Sequence, residues 1–470
     1  MFKSDTIAAI GTPPGEGGIA IIRVSGPASL AIAGEVFRPM RAGDPCEYAG
    51  YTVHYGKIVE SADGEVVDDG LVTVFRAPRS YTGEDSIEIS CHGGFATTQR
   101  LLLSVLRAGA RLAEPGEFTQ RAFLNGRLDL AQAEAVSDLI RARSETAQRV
   151  ARRQLDGTLS SEIRGLTSEL IGILAAIEVT IDFSDEVGEL EHAPIQARIH
   201  AIRQAVERLL ATADRGRLIQ EGLRVAVIGR PNVGKSSLYN ALLKANRAIV
   251  TDMPGTTRDR LEESATIDGF PLVLIDTAGL RRTDDIVERI GVERAESALQ
   301  ESDLILFVLD AAEGIVAEDA ACAERLRNVP KERVLTILNK ADAAEPEALA
   351  NLAKEVADLS PSAAVATVSA LTRAGLDDLE KLILRCALGT ATASGIGLES
   401  VLITSARHKV ALESALRSLD EAEQTAERRM PGDFIAIDVR GALDALGLIT
   451  GETVTDDIIH RIFHDFCVGK

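Results

Sequence analysis

The stretch GRPNVGKSS, residues 229–237, lies near the middle of a 470-residue chain and constrains its fold more than any other feature. Gly229, Gly234, Lys235 and Ser236 fill the pattern G-x-x-x-x-G-K-S, with the apolar run RVAVIG leading in and the helix-like SLYNALLKA following. In that strand, loop and helix order, glycines let the backbone close around an anion. Backbone N–H groups across Asn232, Val233, Gly234, Lys235, Ser236 and Ser237 then face a β-phosphate, Lys235 reaches the β/γ oxygens, and Ser236 ligates Mg2+. A phosphate cradle this far from both ends implies other domains arranged around it.

From about 220 to 388, strand-like runs (RVAVIG, PLVLIDTAG, DLILFVLDAA, RVLTILNKAD, AAVATVSA) alternate with helix-like stretches, which predicts a doubly wound, mostly parallel sheet. Residues 1–119 mix short β-rich runs such as GGIAIIRVSG, DGLVTVFRAP and DSIEISCHGG with the helical QRLLLSVLRAGARL, predicting an α+β domain. Residues 120–219 and 389–470 carry helical apolar spacing, as in AQAEAVSDLIRARSETAQRVARRQL and LTSELIGILAAIEVTI. The simplest architecture is multidomain, α/β plus α. One helical domain is built from two separated pieces, and the nucleotide domain is inserted between them.

With 51 basic against 71 acidic residues the formal charge is −20, which excludes nucleic-acid binding through the field of the whole molecule. An RNA partner needs a local patch. RARSETAQRVARRQ (141–154), with five arginines and one acid, is a candidate, and a solvated helix face is the alternative. The five cysteines, Cys46, Cys91, Cys322, Cys386 and Cys467, form no C-x-x-C, so neither a disulfide frame nor a zinc ribbon is expected. No apolar run is long enough for a membrane span, no secretory leader opens the chain, and a cytoplasmic location is expected.

The identity of the nucleotide follows from three further motifs. Asn339-Lys340-Ala341-Asp342 comes after the strand-like RVLTIL, and the Asp342 carboxylate can accept from both N1–H and N2–H of guanine, a pair adenine does not offer. Ser369-Ala370 after AAVATV forms the companion loop at the guanine O6. Asp276-Thr277-Ala278-Gly279 after PLVLI puts a carboxylate behind the Mg2+ and a backbone N–H at the γ-phosphate. Together these elements resemble the Ras-like P-loop GTPase domain of the translation-factor type. The residue after that last motif is Leu280, where Ras-like proteins place a water-orienting Gln, so another group must do that work. TDMPGTTRD (251–259) resembles the first switch of this class, with Thr257 as second Mg2+ ligand and Thr256 as the alternative. The same resemblance implies a K+ ion held by Asn232 and by the loop at Thr251, Met253 and Thr256, in place of an arginine finger.

Outside this domain, IAAIGTPPGEGGIAIIRVSG, SYTGEDSIEISCHGG, PGEFTQRAFLNGRLDLAQAEAVSDLI and the terminal FCVGK resemble the MnmE (TrmE) family of tRNA modification GTPases over essentially the whole chain, in its bacterial form. The resemblance implies an N-terminal domain that binds 5-formyl-tetrahydrofolate and dimerises, with Arg23, Glu88, Arg127 and Lys470 as folate ligands. It also implies a homodimer joined by the FAD-binding MnmG (GidA) in a heterotetramer that adds an aminomethyl or carboxymethylaminomethyl group to C5 of the tRNA wobble uridine. Glu288 in VERIGVERA matches the family's catalytic glutamate, which orients the water indirectly. Cys467 is its C-terminal cysteine, whose thiolate could add to C6 of uracil. His460, His464 and Cys467 are spaced to share a helical face, an arrangement that could also suggest a metal. A ribosome-assembly GTPase is the alternative reading, although it would have no need of residues 1–119 or of FCVGK.

Overall fold

The computed structural model describes residues 5–13, 15–188, 190–245, 264–275, 299–359, 362–388, 401–464, 466, 467 and 469. Seven strands form the N-terminal sheet: β1 Ile7–Ile10, β2 Gly17–Ser25, β3 Phe37–Pro39, β4 Thr52–Val59, β5 Val66–Phe75, β6 Ser86–Gly93 and β7 Arg111–Leu112. Their order is β3-β4-β5-β6-β2-β1-β7, antiparallel except where β7 joins β1. Period-two alternation puts Ile22 and Val24 of β2 with Ile87 and Ile89 of β6 in a core completed by the helices Ser29–Val36 and Phe95–Arg107. The opposite face therefore presents Arg23 and Glu88, which are cross-strand partners in register.

Helices Leu130–Arg141, Glu145–Leu155, Thr158–Asp182, His192–Leu210 and Ala213–Glu221 precede the nucleotide domain, and Ala406–Glu427, Gly432–Thr450 and Asp456–His464 follow it. The single helical run expected over AQAEAVSDLIRARSETAQRVARRQL is broken at 142–144. There Ser144 caps a new helix, its hydroxyl accepting from Ala147 N at 3.1 Å. Leu170, Ile177 and Ile199 from before the insertion share one fully buried cluster with Leu412, Leu419 and Val439 from after it. The two pieces thus form one domain, because neither amphipathic set could bury its apolar face alone.

The inserted sheet comprises β8 Leu223–Ile228, β9 Ser264–Ile267, β10 Phe270–Ile275, β11 Leu304–Asp310, β12 Val334–Asn339 and β13 Ala364–Thr367, in the order β13-β12-β11-β8-β10-β9. All pairings are parallel except the β9–β10 hairpin. Every residue of β11 is buried, which explains the unbroken apolar run in DLILFVLDAA. β9 was not among the expected strands, since four residues of an edge strand carry too little apolar pattern to stand out.

The chain leaves and re-enters the helical domain through one clamp. Gln154 Nε2 donates to Leu402 O at 2.9 Å and to Thr404 Oγ1 at 3.1 Å, and Ile403 N donates to Thr212 Oγ1 at 3.1 Å. Gly216 permits this approach, because a Cβ there would lie 2.1 Å from the Ile403 carbonyl oxygen. Beside the clamp, Glu134 pairs with His408 at 2.7 Å and with Arg407 at 2.8 Å. Burial opposes the Glu134 charge, but His408 and Arg407 outweigh it and hold the carboxyl at about 2. One turn along the same helix, burial and then the Glu134 charge push Asp138 up to about 6.

A carboxyl raised in the fold stabilises it fully only below its unfolded value, and that contribution is lost as pH rises through the folded one. Asp138→Asn should therefore stabilise the protein near pH 7 by up to about 3 kcal/mol. The advantage should shrink as pH falls from about 6 toward 4, read as the difference in urea midpoint between variant and wild type across that range.

Candidate functional site

The P-loop runs from the end of β8 into the helix Lys235–Ala245. Three of its residues have positive φ: Gly229 at 149°, Asn232 at 66° and Gly234 at 94°. Glycine is required at two of them for space as well as conformation. A Cβ on Gly229 would sit 2.3 Å from Val308 O, and one on Gly234 would sit 2.2 Å from Asn339 Nδ2. Lys235 Nζ donates to the Gly229 and Arg230 carbonyls, both at 2.7 Å, which holds the ammonium across the loop. Ser236 and Ser237 are exposed in the first helical turn, where a phosphate oxygen or Mg2+ can reach them. Asn232, expected as a K+ ligand, is also exposed. Arg230 fastens the loop from outside by pairing with Glu313 and with the fully buried Asp319.

The expected guanine motifs meet the P-loop through one side chain. Asn339, at the end of β12 and 1 % exposed, donates from Nδ2 to Val233 O at 2.8 Å and accepts at Oδ1 from Ala370 N at 3.1 Å. It thereby ties the phosphate loop to the Ser369-Ala370 loop. Ala341 N donates to Val368 O, and the buried Ser369 accepts at Oγ from Thr372 N. Lys340 adopts φ 61°, and this turns the chain so that Asp342 stands exposed in the next turn. Motif reading missed Asp310, which ends the apolar β11 and takes the Lys340 ammonium at 2.6 Å. Burial opposes its charge, but Lys340 and the Ala312 N–H prevail and hold the carboxyl below its usual range. A lone acid closing an all-apolar strand was the available signal. All of these residues lie at the carboxyl ends of parallel strands, where such sheets bind ligands.

In the N-terminal domain, Arg23 donates to Glu88 Oε1 from Nε at 3.0 Å and from Nη2 at 2.8 Å. Its Nη1 donates to Gly469 O at 3.2 Å, so the C-terminal tail lies against β2. The guanidinium is 5.7 Å from the ring centroids of both Tyr81 and Phe118, two neighbours the motifs had not singled out. Arg127 Nε donates to Ser80 O at 3.1 Å, placing a second guanidinium on the segment that carries Tyr81. Arg23, Glu88 and Arg127 are thus gathered around residues 80–81, with the chain end beside them. Glycine 116 admits the tail, since a Cβ there would come 2.5 Å from Phe463 O, and its N–H donates to Cys467 O.

Cys467 is exposed and lies past the end of the helix at His464, so it does not share a helical face with His460 and His464. Among the described residues no cluster of His, Cys, Asp and Glu could hold a metal. Thr251, Met253, Thr256, Thr257, Asp276, Thr277, Ala278, Gly279, Glu288 and Lys470 lie outside the described residues. Among the described residues, no helix is long and apolar enough to cross a membrane.

Comparison with known proteins identifies relatives along nearly the whole chain. The family model described as the MnmE helical domain matches residues 130–467, and that described as the GTP-binding protein TrmE N-terminus matches residues 6–127. The chain is 49% identical over 470 residues to the tRNA modification GTPase MnmE of Moorella thermoacetica, covering 99% of each chain. It is 45% identical over 468 residues to that of Bacillus subtilis, covering 99% of this chain and 100% of the relative. Among solved structures, Era in complex with MgGDPNP and a 16S ribosomal RNA fragment is 34% identical over 34% of this chain and 55% of its own, with a TM-score of 0.29.

Replacing Asn339 with Ala should leave the buried Val233 carbonyl and the Ala370 N–H without their partner, a loss of about 1–3 kcal/mol each. Equilibrium titration with labelled GDP should show at least about a tenfold weaker affinity, with the far-UV spectrum unchanged.

Proposed function

The chain belongs to the MnmE family of tRNA modification GTPases, and from that membership we propose that its GTP turnover drives wobble-uridine modification in complex with an FAD-dependent partner of the MnmG type. The group added to uracil C5 is aminomethyl or carboxymethylaminomethyl. The observation that carries this reading is the meeting of the two chain ends, with Arg23 bonded to both Glu88 and Gly469. A GTPase acting only as an assembly factor would have no use for a paired cation and carboxylate beside a docked tail bearing an exposed cysteine.

In this reading Arg23 and Arg127 bind the carboxylates of 5-formyl-tetrahydrofolate, and Lys470 adds a third cation. Both bonds from Arg23 to Glu88 fall on Oε1, so Oε2 is the oxygen that accepts from a pterin N–H. Tyr81 walls the same space, its hydroxyl held at 2.8 Å by Thr119 Oγ1. The folate supplies the one-carbon unit, and the partner's flavin supplies the redox chemistry. Cys467 is exposed on the tail segment that reaches this site, where its thiolate can add to C6 of uracil and activate C5.

At the other site, Asp342 and the Ala370 loop select guanine, while Lys235, Ser236, Thr257 and Asp276 hold the phosphates and Mg2+. Asn232 and the Thr251, Met253 and Thr256 loop hold K+, and Glu288 orients the attacking water through an intermediary, in place of the missing Gln. Homodimerisation is supported by the open face of the N-terminal sheet. There Tyr55 and Leu71 are cross-strand partners, and they are exposed together with Tyr51 and Val53.

Glu288→Ala should abolish GTP hydrolysis, a loss of at least about 10³-fold in kcat, while GTP affinity stays within about threefold of wild type. Wild-type turnover in that variant would remove the catalytic assignment. Calorimetric titration should show 5-formyl-tetrahydrofolate binding at micromolar affinity or tighter, reduced at least about tenfold in Arg23→Ala. A well-folded protein that binds no folate would contradict the proposed one-carbon chemistry.

A further inference from the structure

Where the helical domain, the nucleotide domain and the C-terminal tail meet, a cavity of about 700 Å³ opens to the surface. None of the residues assigned above to GTP or folate lines it. Its walls differ in character. Ser137, Asp138 and Arg141 descend one face of the helix Leu130–Arg141, and Arg143 and Arg224 bring two more guanidinium groups. Phe466 and Val273, both largely buried, show an apolar edge to the same space. Glu134 and Glu221 also line the space, but the Glu134 charge is already matched by Arg407 and His408.

Arg141 and Arg143 are exposed, and the exposed Arg149 on the following helix adds to this basic surface, whereas Arg152 beside it pairs with Asp156 at 2.8 Å. We propose that this cavity receives a single nucleotide of an RNA strand, its phosphates on Arg141 and Arg143, its base against Phe466, and a ring N–H donated to Asp138. The proposal rests on the reading that the chain acts on tRNA.

Size and chemistry select this occupant. The volume lies within the range of small-ligand pockets, about 300–1,000 Å³, and greatly exceeds the needs of an inorganic anion. Lipid is disfavoured by walls that carry three arginines and three acids. Guanidinium groups suit phosphodiesters by geometry as well as charge, and unstacked bases are bound against aromatic side chains with their polar edges hydrogen-bonded. The basic surface reaches onto the next helix through Arg149, further than a free mononucleotide could use, which favours a strand. The base would also lie one residue from Cys467. Because Val273 belongs to β10, which runs directly into the Asp276 motif, an occupant would press on the strand that leads to the γ-phosphate.

The test is fluorescence anisotropy of a labelled anticodon stem–loop RNA titrated with the full-length protein at several salt concentrations. Arg141→Ala/Arg143→Ala should weaken binding at least about tenfold and lower the salt slope by about two. Arg208→Ala/Arg417→Ala, equal in charge change and exposed on other helices, should change affinity by less than about twofold. Phe466→Leu, which keeps an apolar tail anchor, should weaken binding without changing the salt slope.

Equal losses in both arginine pairs, no loss in either, or no RNA binding by the wild type would overturn the assignment to RNA. Displacement of the RNA by free UMP, sensitive to Arg141 and Arg143, would make a free nucleotide the occupant instead. GTP hydrolysis and folate binding measured on the same wild-type preparation separate failure of this proposal from failure of the functional reading beneath it.

Discussion

The clamp around residues 402–404 is the constraint on which the rest of the architecture depends. A domain can be inserted into a helical core only if the chain leaves and returns at nearly the same point, since otherwise the two helical pieces could not share one interior. Gln154, Thr212 and the bare backbone at Gly216 enforce that geometry by hydrogen bonding and close approach. The bonds are buried or half-buried, so breaking the clamp would leave polar groups unsatisfied. On the entry side only Gly222 separates the helix Ala213–Glu221 from β8, so the nucleotide domain has a direct attachment to the helices there. Phe270, at the start of β10, packs with Ala147, Val150 and Leu402, which places the strand leading to the Asp276 motif against the same attachment.

A second closure joins the ends of the chain. The last helix, through Phe463, and the tail after it, through Phe466 and Gly469, lie on the N-terminal domain, and Gly469 would not fit there with a Cβ, which would fall 2.5 Å from Ile10 O. The helix Leu130–Arg141 touches both closures. Its Leu130, Ala133 and Val136 pack against Phe463 and Phe466, and its Glu134 and Asp138 face the junction with the nucleotide domain. One helix therefore spans from the tail to the clamp, which would let nucleotide state bias the proposed folate site.

Much of this was legible in the sequence because the relevant signals are local. Glycines of the P-loop need positive φ or lack room for a Cβ, the strands of the inserted sheet other than β9 are nearly unbroken apolar runs, and Asn339 ends one of them while Ser369-Ala370 lies just past another. Arg23 and Glu88 were recognisable only through family resemblance, since their pairing depends on the register of β2 against β6, which no local pattern states. What stayed hidden depends on long-range packing. Examples are Asp310 under Lys340, the aromatic walls of Tyr81 and Phe118 around Arg23, and the break at Ser144, where a capping hydroxyl outweighed continuous helical propensity. The cavity beside Asp138 is assembled from segments hundreds of positions apart and has no sequence signature.

Nucleotide state and the proposed folate site should be coupled through the clamp and the docked tail. Linkage makes this measurable without activity, because a coupling free energy must appear reciprocally in both binding equilibria. The most direct measurement is the affinity of 5-formyl-tetrahydrofolate, by calorimetry, for the full-length protein saturated with GDP and then with GDP–aluminium fluoride and K+. The account predicts affinities that differ by at least about fivefold between the two nucleotide states. Identical affinities in both would contradict it, leaving two sites that share a chain without communicating.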